Sequence, residues 1–289
     1  MQNVVGIDIG GSHITLSLVD AHNAEIVREN YIREYVDSFA SKDIILSGWI
    51  SAIQKLIKGF DRDRLLIGIA MPGPFDYDQG ICLMKQGKFL DLLNINLKKE
   101  LSDRLAVSED QIFFLNDAAA FMEGEVYGGC AKGFEKVFGI TLGTGLGTAS
   151  FDGRFAKDED LWNSSFRNSI AEDYLATRWF IERYEELTGE RISGSRDLLD
   201  KPLKIRNKIF DEYAEALAEF VIKFVKPYNA EVLVLGGNIA KAYPLFREKF
   251  HRILESNSDD ITVKISSIFE DAAILGAANF ALKKNRMTE

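Results

Sequence analysis

Apolar runs of strand length, each stopped by glycine or by a polar pair, set the rhythm of this chain. Residues 4–9 alternate tightly enough to form a strand that breaks into Gly10-Gly11-Ser12, and 14–19 and 26–35 read as two further strands. Between 41 and 58 the period lengthens: Ile44, Ile45, Trp49, Ile53, Leu56 and Ile57 fall on one helical face. A buried-type strand at 65–70 leaves through Met71-Pro72-Gly73-Pro74, and 97–105 is a short amphipathic helix. The run Ile112-Phe113-Phe114-Leu115 then stops at Asn116-Asp117, and helix-favouring residues continue over 118–126. That is a buried strand feeding a helix, with Asp117 at the mouth where open α/β sheets place ligands.

The second half repeats the theme. Gly6-Ile7 is answered by Gly139-Ile140, Ile9-Gly10 by Leu142-Gly143, and Thr15 and Ser17 by Thr148 and Ser150. Such repetition predicts two related domains, each presenting a glycine-rich hairpin. Residues 158–170 are polar and irregular and read as a loop over a cleft, followed by helices at 172–186 and 205–225. The longer helix carries Ile209, Phe210, Tyr213, Leu217, Phe220, Val221 and Phe224 as a core stripe and ends before Pro227. A strand at 231–235 turns through Gly236-Gly237, a last strand follows at 261–265, and a small-residue helix at 272–282 closes the chain.

Composition narrows the class. The 289 residues are 46% hydrophobic and 27% charged, which suits a globular protein of two domains. A net charge of -9 argues against capture of nucleic acid or an anionic membrane. Cys82 and Cys130 lie far apart with no CxxC spacing, as in a reducing cytosol. The first strand begins at Val4, leaving no room for a signal peptide, and the uncharged stretch 137–151 is too short to span a bilayer. The expectation is a soluble cytoplasmic protein.

Several residues carry candidate chemistry. Asp117 reads either as a helix N-cap or as a general base. The tip Gly10-Gly11-Ser12 exposes N–H groups that a phosphate can approach, or is a plain hairpin turn. Asp8, just before it, suits Mg²⁺ held through water. With Gly143-Thr144-Gly145 in the second hairpin, two such tips facing each other could grip a polyphosphate. Gly236-Gly237 allows a flat ligand against the backbone, or is only a tight strand-to-helix connection.

In this order Asp8-x-Gly10-Gly11, Pro72-Gly73-Pro74, Asn116-Asp117-Ala118, Gly143-Thr144-Gly145-x-Gly147 and Leu235-Gly236-Gly237 resemble the ROK family of sugar kinases and sugar-responsive repressors. The resemblance covers nearly the whole chain. It implies an α/β fold of two actin/hexokinase-like (ribonuclease H-like) domains with an interdomain cleft. The first would span 1–116, joined by the C-terminal helix 272–289, and the second, binding ATP, would span 117–271. It further implies Asp117 as the base that takes the sugar hydroxyl proton, with Asn116 and Gly73 holding the sugar. Gly10, Gly11, Ser12, Gly143, Thr144, Gly145, Gly236 and Gly237 would contact ATP, with Asp8 on Mg²⁺. A homodimer is the family's habit.

Two departures stand out. The family's zinc-binding Cys-x-Cys-Gly-x-x-Gly-Cys stretch, and the His before it, would fall within 158–172, which has neither Cys nor His. No zinc is therefore expected, and Trp162 and Phe166 are the apolar anchors available to order that loop. Glu172 keeps the carboxylate that touches sugar in the family, or is simply a first-turn helix residue favoured by the dipole. His13 stands where these kinases often carry Lys and is given no chemistry. The implied function is transfer of the ATP γ-phosphate to a sugar hydroxyl, first of all the 6-hydroxyl of glucose. N-acetylmannosamine, N-acetylglucosamine and fructose remain open as acceptors. Two other classes compete: a sugar-sensing regulator, which in the family carries an N-terminal helix-turn-helix, and an inactive sugar- or nucleotide-binding relative.

Overall fold

The computed structural model describes residues 2–257 and 261–288. Contacts divide the chain into two units, Met1–Lys132 with Glu270–Glu289, and Gly133–Phe269.

In the first unit β1 (Asn3–Ile9) and β2 (His13–Asp20) form an antiparallel hairpin. β3 (Glu25–Ile26) and β4 (Ile32–Tyr35) both pair with β2. On the other side β5 (Leu65–Met71) runs parallel to β1, and β8 (Ile112–Asn116) parallel to β5. A small ribbon of β6 (Phe75–Asp76) and β7 (Ile81–Cys82) lies between them in sequence. The expected single strand over 26–35 is interrupted by a 3₁₀ turn at Arg28–Asn30. Side chains alternate across the sheet. Val5, Ile7, Ile67 and Ile69 face a core shared with α1 (Lys42–Leu56) and α2 (Leu97–Leu105). Gly6 and Gly68 face the other way, where α9 (Asp271–Thr288) lies so close that a Cβ on either would meet its backbone at 2.0 or 1.9 Å.

The helix that begins at Asp117, α3 (Asp117–Tyr127), belongs to this first unit, not to the second as a boundary at 116 would place it. The reason is its contact with α9. A Cβ on Gly124 would lie 2.0 Å from the Ala272 carbonyl oxygen, and one on Gly276 would lie 1.8 Å from that of Ala120. Buried Glu123 accepts hydrogen bonds from Asn279 (2.9 Å) and Lys283 (2.7 Å) on α9.

The second unit has the same strand plan. Its sheet runs β11 (Ala156–Asp158), β10 (Leu146–Phe151), β9 (Val137–Leu142), β14 (Val232–Gly236), β15 (Thr262–Ile265). In both units a hairpin leads into two parallel strands, so the repeat seen in sequence is a repeat of topology. One residue corrects its register. Ile9 pairs with Ile14 with four residues between them, whereas Leu142 pairs with Leu146 with three. Asp8 faces Thr15 while Thr141 faces Gly147, so Thr15 corresponds to Gly147, not to Thr148.

Phe138, Ile140, Leu233 and Leu235 pack on the stripe of α6 (Leu203–Phe220), as its periodicity predicts. The expected helix 172–186 is two helices, α4 (Ala171–Leu175) and α5 (Thr177–Thr188), broken at extended Ala176. The N–H and the hydroxyl of Thr177 both donate to the Gly143 carbonyl, each at 2.8 Å, and this tie turns the chain. A ribbon of β12 (Ser165–Phe166) and β13 (Ser169–Ile170) gives order to part of the expected loop 158–170. α7 (Gly237–Ala240) and α8 (Arg247–Ser256) complete the unit.

Candidate functional site

The first unit gathers Asp8, Gly10, Gly11, Ser12, Gly73, Asn116 and Asp117 at the C-terminal ends of its parallel strands. Asn116 is the N-cap of α3: its Oδ1 accepts from the N–H groups of Ala118 (2.7 Å) and Ala119 (3.2 Å). Its Nδ2 donates to the Tyr77 hydroxyl at 3.4 Å, and that hydroxyl donates to the Met71 carbonyl at 3.1 Å. A neighbouring residue therefore does the capping, and Asp117 is the first residue of the helix itself.

Asp117 is exposed on one side and crowded by protein on the others. Crowding raises its pKa, while the Ala118 N–H (2.9 Å), its own N–H and the Lys88 ammonium pull it back. Asp8 is half-buried, and its pKa is raised to about 7 by burial, then by the charge of Asp117, with Arg33 opposing and Glu270 adding. A carboxylate whose ionisation is opposed by burial and by the charge of Asp117 is a place where added positive charge is stabilising. Asp8 suits Mg²⁺ held through water, since Mg²⁺ keeps most of its waters and needs only one or two carboxylates.

At the hairpin tip the Gly10 N–H donates to the His13 carbonyl at 2.9 Å. Ser12 Oγ and His13 Nδ1 are hydrogen-bonded at 2.8 Å, which fixes the exposed hydroxyl. A Cβ on Gly10 would find only the His13 oxygen at 3.6 Å, but one on Gly11 would run into the side chain of Lys88. Neither Lys88 nor Tyr77 stands out in the sequence. Lys88 lies in a polar run, and Tyr77 is one aromatic residue in a stretch rich in turns.

In the second unit Gly143, Thr144 and Gly145 form the tip of the other hairpin. Gly143 has open space where a Cβ would be, and Thr144 is exposed. Glu172, in the first turn of α4, reaches back to this tip: its Oε2 accepts the Leu146 N–H at 2.9 Å and lies 2.8 Å from where a Gly145 Cβ would stand. Its carboxylate is thus engaged by the glycine-rich turn. Gly236 ends β14, and Gly237 has φ +80° with the Leu142 carbonyl oxygen 2.4 Å from a would-be Cβ. The missing side chain at Gly237 therefore makes room for β9.

The loop expected to hold the family's zinc is ordered by hydrocarbon. Phe166 is fully buried, with Tyr174, Phe220 and Phe224 rings at 5.5, 6.1 and 6.3 Å. Trp162, the other expected anchor, is instead 40% exposed, its Nε1 donating to Asp160 at 2.6 Å. Among the described residues no three His, Cys, Asp or Glu side chains gather as a metal would require. The residues present do not fit that zinc site.

The model for the ROK family matches residues 4–156. A glucokinase from Thermotoga maritima is 26% identical over 96% of this chain and 96% of its own length. The N-acetylgalactosamine kinase AgaK from Shewanella sp. strain ANA-3 is 22% identical over 82% of each. The fold matches a ROK hexokinase from Thermus thermophilus with a TM-score of 0.80 at 19% identity, covering 99% of this chain and 100% of that one. Among the described residues no helix is long and apolar enough to cross a membrane.

Proposed function

This chain belongs to the ROK family, and from that premise we propose that it is an ATP-dependent sugar kinase with Asp117 as general base. One observation carries the assignment: Asn116 caps α3, so the Asp117 carboxylate is left facing solvent at the strand mouth, with its pKa raised. A carboxylate of raised pKa is a stronger base than a free one and suits abstraction of a hydroxyl proton. The sugar hydroxyl oxygen attacks the γ-phosphorus of ATP as its proton passes to Asp117. The bond from the γ-phosphorus to the β–γ bridging oxygen breaks, and the electron pair leaves with ADP. The N–H groups of Gly11 and Ser12 in the first tip, and those of Thr144 and Gly145 in the second unit, are the proposed donors for phosphate oxygens, since the Gly10 and Gly143 N–H groups are already engaged within their turns. Asp8 would hold Mg²⁺, which would supply positive charge to the phosphate oxygens. Asn116 retains a second Nδ2 hydrogen for the sugar, and the exposed Gly73 turn lies beside Tyr77, which holds that amide.

Glucose, through its 6-hydroxyl, is the proposed acceptor, supported by the glucokinase relative that spans 96% of the chain. The test is sugar-stimulated ADP release with glucose, fructose, N-acetylglucosamine, N-acetylmannosamine and N-acetylgalactosamine. Turnover with glucose is expected. Preference for an N-acetylhexosamine would replace the acceptor while keeping the kinase; sugar binding without ADP release from any sugar would identify a sensor and end the reading.

A further inference from the structure

The first hairpin tip carries a cation that none of the assignments above uses. Lys88 follows Gly87 (φ +79°) and precedes Phe89, whose backbone is left-handed at φ 58°. Phe89 is fully buried edge-on to Trp49, with ring centroids 5.6 Å apart, and its N–H donates to the Ser38 carbonyl at 2.8 Å. The residue after Lys88 is thus nailed into the core, which fixes the direction in which the lysine leaves the loop.

That direction is back over the phosphate-type tip. A Cβ on Gly11 would meet Lys88 Cδ, Cε and Nζ at 2.3, 2.4 and 2.6 Å, so the whole end of the side chain lies in the space a glycine leaves. Lys88 is exposed, and among the described residues it takes part in no ion pair. An exposed, unpaired lysine is ordinary by itself. This one lies against Gly11 at the tip of the hairpin, and its charge is felt at the candidate base, Asp117.

We propose that Lys88 is a catalytic residue whose ammonium contacts the phosphoryl group in transfer, between the Gly11 tip and Asp117. The inference rests on the kinase reading. Its logic is one of opposing effects. A cation near a general base lowers that base's pKa and so weakens it, a cost to proton abstraction. Neutral sugar hydroxyls need no ammonium. The group that does gain is the one whose oxygens carry spread negative charge as the bond to ADP breaks. The donors of the tip and the ammonium then converge on the same oxygens, while the hydroxyl proton leaves on the opposite side to Asp117. ATP supplies the phosphoryl group and ADP takes the electron pair of the broken bond, so Lys88 keeps its proton throughout.

The test compares Lys88→Met, which keeps an apolar stem over Gly11 and removes the charge, with Lys88→Arg. In the methionine variant kcat is expected to fall about 10²-fold, the scale of losing one charged donor to the transition state. The KM for sugar should stay within about threefold, since an interaction made only in the transition state leaves ground-state binding alone. The acid limb of kcat/KM should move to higher pH, because the cation that lowers the pKa of Asp117 is gone; the arginine variant should recover most of the rate and restore the limb. A kcat within about threefold of the unmodified enzyme, or a loss confined to the sugar KM, would overturn the role of Lys88 and leave the kinase standing. Absence of ADP release with every sugar in the unmodified protein would overturn both. Equal melting temperatures of the variants, expected for an exposed side chain, separate these outcomes from misfolding.

Discussion

At the residue scale the informative contrast is between Asn116 and Asp117, adjacent polar residues with different work. Asp117→Asn should lower kcat about 10²-fold or more while sugar affinity changes little, because an amide still hydrogen-bonds but takes no proton. Asn116→Ala should behave differently, costing about 1 kcal/mol of stability from the lost cap. Denaturation and kinetics on both variants separate the two; near-normal turnover in Asp117→Asn would remove it from the mechanism. The pH profile gives a second check. Crowding raises the pKa of Asp117 from its ordinary 3.8, so the protonated, inactive form persists to higher pH than for a free carboxylate. The acid limb of kcat/KM should accordingly lie above the usual carboxylate range and shift in Asp117→Asn, leaving the titration of Asp8, whose own pKa is raised to about 7; a profile flat down to ordinary carboxylate pH contradicts it. Asp117 was legible in the sequence because a strand's apolar run stops there. The division of labour with Asn116 was not, because side-chain hydrogen bonds to the helix start are a matter of rotamer and not of residue type. Lys88 was illegible for a similar reason: its meaning comes from Gly11, 77 positions away in the chain.

At the scale of elements, periodicity located the strands and the core stripe of α6, but not the places where tertiary contacts interrupt an element. Ala176 has good helix propensity, yet α4 and α5 part there because Thr177 is tied to Gly143 at the tip of the β9–β10 hairpin. The loop 158–170 offered two apolar anchors, and periodicity had no means of ranking them. Packing ranks them: Phe166 sits among three aromatic rings, whereas Trp162 satisfies its N–H at the surface. Phe166→Ala should therefore lose roughly 3–5 kcal/mol on urea unfolding, as for other buried phenylalanines. Trp162→Ala should lose well under half as much, and comparable losses would mean that Phe166 is not the anchor. A loop closed by hydrocarbon has no need of the metal. A zinc-selective chelator that spares Mg²⁺ should leave both the melting temperature and activity intact, whereas a metal-closed domain loses several kcal/mol. Stoichiometric zinc in the purified protein, or a collapse under the chelator, defeats this.

For the molecule as a whole, the repeated strand plan and the two units, the first joined by the C-terminal helix, were visible in the sequence, but the boundary between them, after Lys132 and not at 116, was not. The boundary at 116 implied by the family resemblance separates α3 from the unit it belongs to. That helix is held by the far end of the chain, through glycines that look like weak points in α3 and α9. Their role becomes apparent only when the two helices meet, Gly124 on Ala272 and Gly276 on Ala120. Glycine inside a helix ordinarily destabilises by roughly 0.5–1 kcal/mol relative to alanine. Gly48, exposed within α1, has nothing within 4 Å of where a Cβ would be, so Gly48→Ala should stabilise by about that amount. Gly276→Ala makes the same chemical change in the same unit. There the added methyl would stand 1.8 Å from the Ala120 carbonyl oxygen and 2.6 Å from the Gly124 nitrogen, both backbone atoms that no side-chain rotation can clear. The helices must separate, which costs on the order of 1–3 kcal/mol or more and outweighs the gain in propensity. Because α3 begins at Asp117, that separation should also depress kcat, whereas Gly48→Ala should leave turnover unchanged. Urea midpoints of the two variants, with kcat measured on each, test the whole arrangement. Shifts of opposite sign are expected; a stabilised, fully active Gly276→Ala would show that the α3–α9 contact is not what holds Asp117 in the first unit.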